Sequence, residues 1–240
     1  MIDTALIVGC IAGAVALAST GANVINARAL ERIKSSSEAA KTAAAERKEL
    51  SIYSESLARS AFDLQSRLYN ILRQEALKAY LDQGSQRAQV YLIENTIFLV
   101  SQYMCWVELT RQEINFIQLR DEISTKRLLR TQDDIYAVWG TDTFPDAFRI
   151  FAGEQRALGE ALIVGEPEFT TCMGYGRFLE KLGSGNNSIV DHLRREMENL
   201  PMSIDAARER LTAVQHLLVD VILIIDTGSL RFPVSRLSKA

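Results

Sequence analysis

Proline is scarce in this 240-residue chain, which has only four, at positions 145, 167, 201 and 233. Met1 to Phe144 contains none, so the strongest helix breaker is missing from more than half the length and long helices are allowed there. Cysteine is scarcer still. Cys10, Cys105 and Cys172 lie far apart with no CxxC pair, which excludes a disulfide framework and a thiolate zinc site and fits a reducing compartment. There are two histidines and no HExxH or ExxH, so the usual helical metal-ligand pairs are missing. No excess of positive charge exists either. A net charge of −3 argues against a domain built to coat nucleic acid phosphates. Met173-Gly-Tyr-Gly176 lacks the GxxxxGK[ST] pattern of a phosphate loop, and no serine, cysteine or lysine sits in a nucleophile motif. No cofactor, metal ion or nucleic acid partner is therefore expected.

Charge is absent altogether from one stretch. Thr4 to Ala27, TALIVGCIAGAVALASTGANVINA, runs 24 positions without an ionisable acid or base. As a helix it is roughly 36 Å long, enough to cross a hydrocarbon core of about 30 Å. Ser19, Thr20, Asn23 and Asn26 weaken its second half, so insertion is favoured without a wide margin. A cleaved secretion signal is disfavoured because Met-Ile-Asp-Thr carries no positive charge ahead of the apolar run. A soluble core helix would carry a polar stripe, which Ala5 to Ala18 does not. The reading is a transmembrane anchor over 1–27. Arg28, Arg32, Lys34, Lys41, Arg47 and Lys48 outnumber Glu31, Glu38 and Glu46 after it, which predicts a single-pass protein in the cell membrane, with its N-terminus outside and its C-terminal domain cytoplasmic. Gly9 and Gly13 form a GxxxG pair continued by Ala14, Ala18 and Ala22. This is a face on which two copies could pack as a homodimer in lipid, although glycine and alanine also make up much of any weakly apolar segment.

Residues 28–49 are rich in Ala, Glu, Lys and Arg and too poor in large apolar residues for burial, so they read as a charged helical stalk. A helical bundle domain is expected over 50–227. Leu57, Ala61, Leu64, Leu68 and Ile71 alternate steps of four and three, predicting an amphipathic helix as far as Leu81. Gln83-Gly84-Ser85 punctuates it, and Gln86 to Leu119 reads as a second long helix with its core at TIFLVSQYMCWVEL. Shorter helices are expected to restart at Thr131, Pro145, Glu166-Pro167, Ser188 and Ser203. Lys181 to Asn187 reads as a loop and 228–240 as a basic tail. With no strand-type alternation, the expected architecture is all-α: an N-terminal transmembrane helix and stalk, then a multi-helix bundle built on two long antiparallel helices.

Two polar clusters are candidates for ligand binding. Arg149, Glu154 and Arg156 lie in FRIFAGEQRALGE, where two arginines suit an anionic ligand. Gly153 and Gly159 in the same run cost helix propensity, pointing to a close helix contact or a ligand approaching the backbone. His216 and Asp220 share a helical face four residues apart. The bland alternatives are packing for the first cluster and hydrogen bonding across the bundle for the second.

The wording AFDLQSRLYNIL (61–72), FRIFAGEQRALGE (148–160) and LTAVQHLLVDVI (211–222) resembles a group of uncharacterised bacterial proteins with an N-terminal hydrophobic helix and an all-α cytoplasmic domain. The resemblance implies the anchor and the helical fold, and no activity. The expected function is partner binding, scaffolding or sensing by a domain held at the lipid bilayer, with a protein partner at the membrane. The alternatives are an enzyme using the Arg/Glu/His residues above, or a soluble oligomeric interaction module.

Overall fold

The computed structural model describes residues 52–112, 121–166, 169–182, 187–228 and 231–240, together with Glu31, Lys34, Ser37, Glu38 and Lys41. The chain divides into two compact units, Met1–Glu49 and Leu50–Ala240. In the first, the five described residues are helical and exposed. The anchor expected over Thr4–Ala27 and the Gly9/Gly13 face lie outside the described residues. Among the described residues no helix is long and apolar enough to cross a membrane.

The second unit is mostly helical. Its first helix, α1, covers 52–73 and buries the expected stripe of Leu57, Ala61, Leu64, Leu68 and Ile71. The next positions on that stripe are Glu75 and Lys78, so the stripe runs out of apolar residues. The helix stops there instead of reaching Leu81: Glu75 takes φ 53°, Ala76 and Leu77 turn into the core, and one π-helical turn follows over Lys78–Asp82.

Helix α2, Gln86–Gln112, is the central core helix. Thr96 and Ser101 are fully buried on it because each hydroxyl donates to the carbonyl four residues back, Leu92 and Ile97. Tyr53 meets Trp106 at 6.2 Å between ring centroids, and Arg67 donates to Asn95 Oδ1 at 2.6 Å, so α1 and α2 pair antiparallel.

Helix α3 spans Glu122–Gly140 under an Asp121 cap that accepts from the Ser124 amide at 2.8 Å. Thr131 does not restart it, since its hydroxyl bonds back to the Arg127 carbonyl inside a continuous helix. Nor does a helix begin at Pro145. Residues 141–151 are turns, and helix α4 starts only at Ala152, running to Ala161. Tertiary partners take the backbone groups a helix there would use: Glu196 accepts from the Phe148 amide at 2.8 Å, and Arg210 donates to the Thr141 and Pro145 carbonyls.

A β-hairpin stands where a helix through Phe169 is expected. Strand β1, Ile163–Glu166, pairs antiparallel with β2, Phe169–Cys172, with Ile163 opposite Cys172 and Glu166 opposite Phe169. Val164, Thr170 and Thr171 are β-branched residues that suit strands, and Gly165 adopts φ 118°, open only to glycine without strain. Helix α5, Tyr175–Leu182, follows.

Helix α6 is 38 residues long, Ser188–Ile225, capped by Asn187, whose side chain accepts from the Ile189 and Val190 amides. It is one helix where two were expected. Pro201 removes an amide donor and costs about 3 kcal/mol. The buried stripe nevertheless continues on both sides, from Val190, Leu193, Met197 and Leu200 to Ala207, Leu211, Val214 and Leu218, and its burial outweighs the proline.

Arg210 of α6 is fully buried and has no carboxylate partner among the described residues. Its Nη1 donates to the Val138 and Trp139 carbonyls at 2.7 and 2.9 Å, and its Nη2 to those of Thr141 and Pro145 at 3.1 and 2.9 Å. The cation thus sits on the C-terminal carbonyls of α3, where the helix dipole is negative. Burial and nearby Arg149 pull its pKa below the usual arginine value, with Asp146 opposing them.

Two stability predictions follow from this packing. Arg210→Met removes a donor from four sheltered carbonyls, of which that of Trp139 keeps the Ile150 amide, and should lower unfolding free energy by about 3 kcal/mol or more, with Arg210→Lys recovering only part. Urea denaturation checks both, and an unchanged midpoint for Arg210→Met would refute the role. A Cβ on Gly159 would lie 2.8 Å from the Met104 carbonyl oxygen, where α4 meets α2. Gly159→Ala should therefore destabilise, because overpacking of about 1–3 kcal/mol works against a helix-propensity gain of about 1 kcal/mol. Gly153 has nothing within 4 Å of its added Cβ, so Gly153→Ala should be neutral or stabilising in the same assay.

Candidate functional site

The two polar clusters singled out in the sequence are drawn into local bonding. Arg149 Nε donates to the Gly140 carbonyl at 2.8 Å, Nη1 faces Asp146 at 3.5 Å, and the guanidinium lies 4.7 Å from the Phe151 ring centroid. Glu154 accepts from the Phe151 amide at 2.9 Å, capping α4. Arg156 is exposed. His216 Nε2 lies 2.8 Å from the Ala240 oxygen, and because that oxygen can only accept, Nε2 carries the proton. Asp220 accepts from Lys239 Nζ at 2.9 Å. The contacts of Arg149 and Glu154 thus fall within residues 140–151, whereas those of His216 and Asp220 fall on the tail. The described contacts do not join the two groups around one cleft.

His216 and Asp220 belong instead to the seat of the C-terminal tail. Phe232 and Leu237 are buried, and Phe232 packs on Phe62 at 5.0 Å. Two buried glutamines complete the seat. Gln65 donates to the Arg236 carbonyl at 3.1 Å, while Gln215 donates to Gln65 Oε1 and to the Ser238 carbonyl, both at 3.0 Å, and accepts from the Ala240 amide at 3.0 Å. The segment read as a basic tail is held along α1 and α6 over its described residues 231–240.

Seating the tail completes a cleft of about 850 Å³, within the size range of small-molecule sites. One wall is the polar face of α1, with Asp63, Ser66, Arg67 and Asn70. The π-helical turn contributes Tyr80, α2 contributes Tyr91, Asn95, Phe98 and Gln102, and the tail contributes Ser235, Arg236 and Ser238. Tyr80 and Tyr91 stand 6.5 Å apart between centroids, both exposed. Arg67 is half-buried, bonded to Asn95 and placed 5.4 Å from the Tyr91 ring centroid. The cleft offers amides, hydroxyls, aromatic faces and guanidinium groups, the equipment of binding.

A second cavity, of about 20 Å³, lies among Tyr103, Gln132 and Trp139, whose Oη, Nε2 and Nε1 have no hydrogen-bond partner among the described residues. It has room for one water-sized group and no substrate. The Cys105 thiol is pushed far up, first by its hydrogen bond with Cys172 and then by burial, so it holds its proton and is a poor nucleophile. Among the described residues no group of three or more metal-ligating side chains comes together.

None of the cleft residues was singled out as a site in the sequence, and Tyr91, read there as core, is exposed. The available signal was the polar stripe Asp63, Ser66, Arg67, Asn70 and Gln74 on the face of α1 that includes no stripe leucine. Solvated helix faces carry the same pattern, so the stripe becomes a wall only when α2 and the tail stand opposite it.

Burial pushes the Asp63 carboxyl above its ordinary pKa, with Arg59 pulling the other way. A carboxylate with a raised folded pKa costs stability wherever it is ionised in the fold, and that cost fades as pH falls through the folded value. Asp63→Asn should therefore raise the thermal midpoint at pH 7, with the gain shrinking as pH falls through the titration of the carboxyl. A midpoint lowered at pH 7 would show that the carboxylate is a structural anchor instead. Comparison with protein-family models, with curated proteins and with solved structures finds no match, so the cleft is argued from its own geometry.

Proposed function

We propose that this chain is a membrane-tethered helical domain whose role is binding: sensing a small ligand, or scaffolding a partner, at the bilayer surface. The observation that carries the binding half is the cleft, in which three separate parts of the chain bring polar and aromatic side chains around a volume of ligand size. The tether rests on the 24 uncharged residues Thr4–Ala27, and the orientation on the basic residues that follow them. Tethering raises the effective concentration of the domain towards other components of the same membrane. Gly9 and Gly13 offer the face through which a second copy of the anchor would pack. The enzyme reading loses support from the separate engagements of Arg149, Glu154, His216 and Asp220.

Fractionation of cells expressing the full chain with a C-terminal reporter tests the tether. The protein should stay in the membrane pellet through carbonate and high-salt washes, with the reporter on the cytoplasmic side. Release of the full-length protein by either wash would overturn the anchor and return Thr4–Ala27 to a core or oligomer helix.

A further inference from the structure

Arg67 holds a charge with spare donor capacity in the cleft. Other sheltered arginines have acceptors in number: Arg194 pairs with Glu94 and Asp191, Arg149 with Asp146 and a carbonyl, and Arg210 with four carbonyls. Arg67 has one neutral amide oxygen and one ring face, and among the described residues no carboxylate stands within ion-pair distance of it. A guanidinium carries five N–H donors, and leaving a half-buried one without an anion is costly. Asn95 and Tyr91 meanwhile hold the planar fork in place, which is the pre-organised geometry that receives an oxyanion.

The tail supplies a second cation. Arg236 lines the same cleft from the tail, where Gln65 holds its carbonyl and Leu237 is buried beside it. Ser66, Ser235 and Ser238 add hydroxyl donors. Asp63 is the one acid among the lining residues, so two arginines to one carboxylate leave the cleft positive.

We infer that the cleft receives a phosphate monoester, with Arg67 forking onto the phosphate and Arg236 closing on it from the tail. This rests on reading the cleft as the binding site. A monoester fits better than a carboxylate because its charge, near −2, and its three terminal oxygens match two guanidinium groups and the serine hydroxyls. Because Arg236 belongs to the tail, an occupied cleft also ties the tail to α1.

The test uses the full chain in phosphatidylcholine nanodiscs, titrated calorimetrically with glycerol 3-phosphate and AMP and, as neutral matches, glycerol and adenosine. At least one phosphate probe should bind where its neutral match does not. Arg67→Ala should weaken that binding by at least about tenfold and Arg67→Lys by less. Hydrogen exchange of residues 231–240 in the unmutated protein should slow when the probe saturates, a readout that does not depend on any variant folding. If exchange of the tail slows only in discs containing phosphatidic acid, the phosphate is that of a lipid headgroup, and the inference stands. Phosphate binding indifferent to Arg67→Ala, in a variant with an unchanged melting curve, would overturn it. Equal binding of phosphate and neutral probes, abolished by Asn70→Trp, would keep the cleft as a binding site and overturn its assignment to phosphate. No binding by any probe in either disc would overturn both.

Discussion

A buried guanidinium held by carbonyls, with no carboxylate at ion-pair distance among the described residues, keeps this domain's most irregular segment in place. Arg210 gathers four carbonyls from the end of α3 and the turns after it, and no apolar side chain can supply those donors. The turns need it because 141–151 forms no helix, and the Thr141 and Pro145 carbonyls have Arg210 as their donor. Once the segment is held, Phe148 adopts φ 55° and is buried against Trp139, at 6.2 Å between ring centroids, and the Ile150 amide donates to the Trp139 carbonyl. Helix α4 then starts at Ala152, and its later Gly159 lies against α2. Two side chains on α6, Arg210 and Glu196, thereby set the path of the chain from α3 into α4.

The same helix, one to three turns further on, seats the tail. Gln215, His216 and Asp220 follow Arg210 along α6, and each engages the last few residues described. Helix α6 therefore organises two irregular segments with polar side chains while its apolar stripe packs into the bundle. This division of labour explains why polar residues survive in a stretch as apolar as AVQHLLVDVILII. Gln215 is fully buried and fully engaged, so it costs little and fixes where the tail lies.

The ligand-binding potential of the domain is a by-product of that seating. Without the tail, the polar face of α1 is an ordinary solvated stripe; with it, the stripe becomes one wall of a cleft. Residues that looked chemical in the sequence, Arg149, Glu154, His216 and Asp220, are bound up in shaping loops and tail. Residues that looked ordinary, Arg67, Tyr91 and Arg236, face the open volume. Local polar density in the sequence marked places where backbone needed partners, and a binding surface needs the opposite, polar groups left with free capacity.

Local pattern determined what could be read without a fold. The stripe of α1 is written in apolar spacing, the core of α2 in a continuous apolar run and the start of α6 near Ser188 in capping residues, because each is a local property of the sequence. Tertiary structure alone decided that α6 runs through Pro201 and that 141–151 stays irregular. In each case a local signal was outweighed by partners distant in the chain, whether apolar neighbours for α6 or Arg210 and Glu196 for the turns. The cleft is of the same kind. Its walls come from residues 62–80, 91–102 and 235–238, and no local reading of the chain reveals which polar faces the fold will set opposite one another.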